Sequence, residues 1–316
     1  GNPATPLTCT PDHHVLAMSR KEGWVRADKA KWLGSPIRPI MELKTALPLY
    51  KYTSGNKREY IQSGDVALTK EFGWLLGLYY AEGTVHSRKV TFSLSPKESD
   101  FAGRINALAA EYKWNTSRRL FATHGIIGDR TIDGHALQVD INSHSLSYLI
   151  EAIAGKEKII PDWLWECPKD FLDGVIEGYV DGDGSYDKTN ERYLVTSVRS
   201  HLLYQLRELL LSVRGQYSAI GYSSRRKGWW LTFPMKPCVT SKYRRSGSYS
   251  YIKFQKVHGH PYVFTKLRKR EFIDYEGEIF DIGTCGSFKT PSGMVHNSEL
   301  ARWYDRKARQ LWADVT

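Results

Sequence analysis

The chain has 316 residues, with 45 lysines and arginines against 34 acids and a net charge of +11. Hydrophobic content of 41% with 25% charged residues is the composition of a folded chain with room for about two cores, which excludes a largely disordered protein. The longest apolar run, residues 72–81, is about half of a bilayer crossing, no signal-peptide pattern opens the chain, and Cys9, Cys167, Cys238 and Cys285 form no Cys-x-x-Cys pair. The expected setting is therefore intracellular, cytoplasmic and reducing, and the clustered basic residues point to a polyanionic partner.

In chain order, residues 15–18 and 23–26 read as short strands, and residues 34–39 as a turn region; together they suggest a small β unit. Residues 53–59 have the composition of a linker, which puts a domain boundary near residue 65. Thr69 is placed to cap a helix over 72–81 that Glu82-Gly83 ends. A strand (89–94), a helix (98–112), strands near 118–122 and 136–141, and a helix through 145–150 follow. The order then recurs, with a helix over 171–180 ended by Asp181-Gly182-Asp183-Gly184, a strand at 193–197, a helix over 200–213 and a strand pair that includes 228–233. This is a duplicated αββαββα unit whose acids Glu82 and Asp183 stand 101 residues apart.

Beyond residue 250 short strands return at 251–254, 262–264 and 278–282, and Leu300, Tyr304, Ala308, Leu311 and Val315 form the apolar stripe of an amphipathic helix. The two ends share a β character that the middle lacks, so the expected fold is α+β, a β-rich domain interrupted by an inserted, duplicated α/β domain.

Each motif helix carries an acid just before a glycine at its C-terminus and glycines four apart on one face, Gly73 and Gly77 in the first, Gly174 and Gly178 in the second. Glycine faces let two helix backbones approach closely. Helices paired by a pseudo-twofold axis bring their acid ends together, and two adjacent carboxylates call for a divalent cation. Glu82 and Asp183 are thus candidate ligands of Mg²⁺ (or Mn²⁺), a metal suited to phosphodiester chemistry. An EF-hand at Asp181 is excluded, because its sixth position is Tyr186 and its twelfth is Arg192.

Residues 75–83 and 176–184 resemble the two motifs of a monomeric LAGLIDADG homing endonuclease, over roughly residues 66–249. The resemblance implies one antiparallel sheet per repeat astride the major groove of double-stranded DNA, and metal-dependent cutting of both strands. It also implies a lysine near each metal. Lys236 is the candidate in the second repeat, and the first shows no clear equivalent. Arg118 and Arg119, Arg225, Arg226 and Lys227, and Arg244 and Arg245 are candidate phosphate contacts.

At the ends, Thr10 and His13 form a Thr-x-x-His pattern, Asp281 lies in a late strand, and His296-Asn297-Ser298 closes the series. An Asn side-chain amide can attack its own carbonyl and cleave the chain before Ser298, with His296 as acid/base and the Ser298 hydroxyl as acceptor nucleophile. Thr10 and His13 can polarise a scissile peptide. These ends resemble the Hint splicing domain of inteins, which implies splicing roles for Thr10, His13, Asp281, His296, Asn297 and Ser298. The resulting division is residues 1–65 and 250–297 for the Hint domain, 66–249 for the endonuclease and 298–316 for a host segment, of which 299–303 resemble phage terminase large subunits. The intein block that begins with a nucleophile should lie well before Thr10, so a separate N-terminal intein fragment is an expected partner. A protein-splicing element with an inactive DNA-binding domain stays open as the alternative.

Overall fold

The computed structural model describes residues 7, 9–18, 22–53, 59–127, 130–225, 227–235, 252–257, 259–267, 269–274, 276, 287–290 and 293–296. Lys236, Arg226, Arg244, Arg245, Asp281, Asn297, Ser298, the last helix expected of the second repeat and the tail helix lie outside the described residues.

Strands β1 (His14–Met18), β2 (Glu22–Arg26) and β3 (Trp32–Pro36) come first. The middle of the chain builds β4 (Ala46–Thr53), β5 (Glu59–Ala67), α1 (Lys70–Glu82), β6 (Gly83–His86), β7 (Lys89–Leu94), α2 (Ser99–Glu111), β8 (Asn115–Ile127), β9 (Arg130–Asn142) and α3 (His144–Ala154). It continues with α4 (Lys169–Asp183), β10 (Gly184–Asp187), β11 (Arg192–Ser197), α5 (Ser200–Arg214), β12 (Ala219–Ser223) and β13 (Gly228–Pro234). Strands β14 (Ile252–Val257), β15 (His260–Lys266), β16 (Ser287–Thr290) and β17 (Gly293–His296) follow.

Two compact units result. One joins residues 1–37 to 239–316, and the other spans 38–238. In the first, the chain ends share sheets ordered β16-β17-β1-β2 and β14-β15-β3. Here a strand, β3, replaces the expected turn around residue 34. Gly34 reads as a turn residue, yet it lies where a Cβ would stand 2.6 Å from Cε1 of Phe264, so the glycine serves a close approach between paired strands.

In the second unit two sheets share one order, β6-β7-β9-β8 and β10-β11-β13-β12, the pattern of an internal duplication. The expected boundary near residue 65 falls inside the β4–β5 hairpin, whose Leu47, Leu49 and Val66 belong to this unit's core; the unit therefore begins at residue 38. Residues 53–59 read as a linker because their polar run carries no apolar alternation. Similarly, β8 and β9 run well past the expected 118–122 and 136–141, because polar and glycine-containing arms carry no alternating apolar signal.

Helices α1 and α4 are the centre of this unit. Thr69 caps α1, its hydroxyl accepting from the Phe72 amide at 3.2 Å, and every residue from Phe72 to Tyr80 is buried. A helix apolar on all sides belongs in a core. A Cβ on Gly73 would stand 2.0 Å from the Phe171 carbonyl oxygen, and one on Gly174 would stand 2.1 Å from that of Lys70. Gly77 meets Val175, and Gly178 meets Trp74, in the same reciprocal way. That reciprocity is the pseudo-twofold axis. From α2, Arg104 braces the pair, bonding Glu71 at 2.7 Å and Glu177 at 2.8 Å with its guanidinium 4.1 Å over the Trp74 ring.

Candidate active site at the paired helix ends

Glu82 and Asp183 are the last residues of α1 and α4. The residues before them face each other, since a Cβ on Gly182 would stand 2.5 Å from that of Ala81. Both acids are half-buried at helix C-termini, where the backbone dipole already opposes negative charge. Burial, then the charges of Asp183 and Glu98, push Glu82 up to about 7, against the pull of Lys158. Burial also raises Asp183, with Lys158 and the Tyr179 hydroxyl opposing. That hydroxyl is buried beside Asp183 and Ser197 without a well-formed hydrogen bond to either.

Lys158, which the sequence did not single out, lies near both acids. Its Nζ donates to the Ala81 carbonyl at 3.2 Å and lies 5.4 Å from the Tyr79 ring centre. Burial, then the nearby Arg199, bring it down to about 8, while the two acids pull it back up. The loop that carries it follows α3, with Gly155 and Lys158 both in the left-handed region at φ 61° and 56°. Tyr79 and Tyr80 of the first motif pin that loop, their hydroxyls donating to the carbonyls of Gly155 and Ile159 at 3.1 Å each.

Two carboxylates whose charges oppose each other, with one lysine near both, form an oxygen donor set suited to a hard divalent cation. Among the described residues no group of three or more His, Cys, Asp and Glu side chains is placed to hold a metal, so the pair Glu82 and Asp183 is the candidate donor set. Asp181 is turned away, its Oδ2 accepting from the Trp74 indole at 2.8 Å.

The candidate phosphate contacts separate. Arg118 turns to the helix side of its sheet and donates to the Ala102 carbonyl at 2.9 Å, which removes it from the outward set. Arg119, next along β8, has its guanidinium 5.6 Å from the Phe121 ring centre. Arg225 and Lys227 are exposed in the β12–β13 turn.

In the other unit, Thr10 and His13 close a turn before β1, with the His13 amide donating to the Thr10 carbonyl at 3.1 Å. The Thr10 hydroxyl, chiefly, holds the Asp12 carboxyl below its ordinary range. Nε2 of His13 is buried with no hydrogen-bond partner among the described residues. Val15 of β1 pairs with Val295 of β17, which brings the Thr10–His13 turn to the strand that ends at His296.

The helix pair, the duplicated sheets and the two terminal acids define a two-motif α/β domain with a carboxylate centre on its pseudo-twofold axis. Residues 170–259 match the family model described as a LAGLIDADG-like domain. Over 141 residues, 44% of this chain, it is 26% identical to the DNA-directed RNA polymerase subunit Rpo1C of Methanocaldococcus jannaschii, and it spans 15% of that protein's length. Among solved structures it resembles the homing endonuclease I-DmoI in complex with DNA and Mn, with 15% identity, 53% of this chain, 91% of that one and a TM-score of 0.40. It also resembles the N-terminal LAGLIDADG domain of DUF199/WhiA, with 13% identity, 54% of this chain, 77% of that one and a TM-score of 0.36.

The acid centre has a consequence for stability. A carboxyl whose folded pKa is near 7 against an unfolded value of 4.5 favours folding at low pH and loses that contribution as pH rises from about 4.5 to 7. In metal-free protein, Glu82→Gln is expected to be about 1–3 kcal/mol more stable than the parent at pH 8 and equal to it at pH 4. Thermal unfolding at the two pH values checks this; a difference independent of pH would contradict it.

Proposed function

We propose that the chain is an intein-encoded, site-specific homing endonuclease that makes Mg²⁺-dependent double-strand breaks in DNA. The observation that carries the reading is the convergence of Glu82 and Asp183 at the ends of two helices held in backbone contact by reciprocal glycines. Glu82 and Asp183 would hold the Mg²⁺ or Mn²⁺, which when bound supplies positive charge to a phosphodiester under attack. Lys158 adds a cation whose lowered pKa lets it give up or hold a proton near neutral pH. The outward faces of the two sheets, with Arg119, Arg225 and Lys227, take duplex DNA as a monomer. Plasmids carrying a randomised insert are expected to be cut within a recurring sequence in Mg²⁺ and to stay intact in EDTA; random nicking would count against the reading.

The unit built from both chain ends is proposed as the Hint splicing domain. Support comes from the Thr10–His13 turn beside the strand that ends at His296, and from the buried His13 nitrogen available to a peptide. Asn297 then cyclises and severs the chain before Ser298, and Asp281 and His296 assist. Asn297→Ala is expected to abolish release of residues 298–316, as read by mass spectrometry; unchanged release would remove Asn297 from this role. Glutamate at position 82, one methylene longer than Asp183, favours a second reading in which splicing persists and the endonuclease domain binds DNA without cutting it.

A further inference from the structure

The two sheets are alike in order and differ in outward chemistry, although Thr91 and Asp140 of the first are nearly covered, at 8% and 9% exposed. Phe92 pairs with Gly83 and Val139, and Val195 pairs with Gly184 and Leu231, so these buried positions set the correspondence between repeats. Because Phe92, Val139, Val195 and Leu231 are buried on the inner face, their sequence neighbours face outward. Across the first sheet one outward row reads Ser93, Gln138, Arg119, and the matching row of the second reads Thr196, Trp230, Gly221. The adjacent rows are Thr91, Asp140, Ser117 and Leu194, Thr232, Ala219.

In the first sheet these groups bond one another. Asp140 accepts from Lys89 at 2.8 Å, Thr91 at 2.7 Å and Gln138 at 2.9 Å. In the second sheet the indole of Trp230 lies across Gly221, where a Cβ would stand 2.1 Å from Cζ2. Trp229 turns to the other face, against Tyr204 and Tyr222. A tryptophan set flat in the outward row, over a glycine that leaves it room, presents an apolar plate where the first repeat presents hydrogen-bonding groups. In the major groove arginine and glutamine suit guanine and adenine edges, whereas an apolar surface suits the 5-methyl group of thymine.

We infer that Trp230 is a specificity-determining residue that contacts thymine methyl groups in the half-site under the second sheet, while the first sheet reads its half-site by hydrogen bonds. This rests on the DNA-binding reading above. The test begins with duplexes enriched by the full chain from a randomised pool. Thymines recurring in one half are then replaced by deoxyuridine, which removes only the 5-methyl group. The parent protein is expected to lose about fourfold in affinity per contacted methyl. Trp230→Ala should bind the thymine duplex more weakly and not distinguish the two. Trp230→Phe should keep a difference, and Gly221→Ala, whose methyl displaces the indole, should reduce it. An equal thymine-to-deoxyuridine ratio in the parent and in Trp230→Ala would overturn the role of Trp230 with DNA binding intact. Failure to enrich any duplex would instead overturn the DNA reading and this inference with it.

Discussion

Valine in place of Gly178 is expected to destabilise residues 38–238 strongly and lower their melting temperature. Even the first carbon of the new side chain would stand 2.0 Å from the Trp74 carbonyl oxygen and 2.8 Å from the Leu78 amide nitrogen. Both are backbone atoms of α1, so no rotamer change relieves the clash. The helices must separate, and α1 is buried from Phe72 to Tyr80, so separation opens the core around Trp74, Leu75 and Leu78. Overpacking of this kind costs about 3 kcal/mol or more, against a domain stability of about 5–15 kcal/mol. Gly77→Val, its mate across the pseudo-twofold axis, should behave alike. Gly103→Ala in α2 is the control, since nothing lies within 4 Å of its Cβ position and alanine favours a helix by about 1 kcal/mol. Circular dichroism melting checks all of them; a Gly178→Val protein that melts with the parent would contradict the packing described.

Asp183→Asn and Glu82→Gln are each expected to abolish double-strand cleavage, lowering the rate by about 10³-fold, the equivalent of the several kcal/mol that a bound metal's charge supplies. Each substitution keeps the shape of the side chain and removes one of two carboxylates, of which the Asp183 charge helps to raise Glu82. DNA affinity should hold or rise, because a negative charge near the phosphates is lost. Rates measured alongside binding separate the two effects. Residual cleavage within tenfold of the parent would remove that acid from the chemistry.

The part of the site most legible in the sequence was the part built from spacing. Glycines four apart and an acid before a glycine, repeated after 101 residues, carry the helix pair and its two carboxylates. Thr69 was legible as a cap because a cap needs only its own hydroxyl and an amide three residues on. Lys158 was not, because its role depends on a left-handed loop and on the hydroxyls of Tyr79 and Tyr80, contacts made across some 76 residues of chain. Arg118 and Arg119 show the period-2 problem directly: adjacent arginines on a strand face opposite ways, and pairing partners decide which faces out. Gly34 read as punctuation, yet it lies under the Phe264 ring of a paired strand.

The most direct test of the proposed function is to map the ends of every strand after the parent protein has acted in Mg²⁺ on the duplex it enriches. One acid at each helix end on a shared axis predicts a single break in each strand at fixed positions close together, absent in EDTA. A duplex that stays bound and uncut in both Mg²⁺ and Mn²⁺ would contradict it, and would favour the reading in which the domain binds DNA without cutting it.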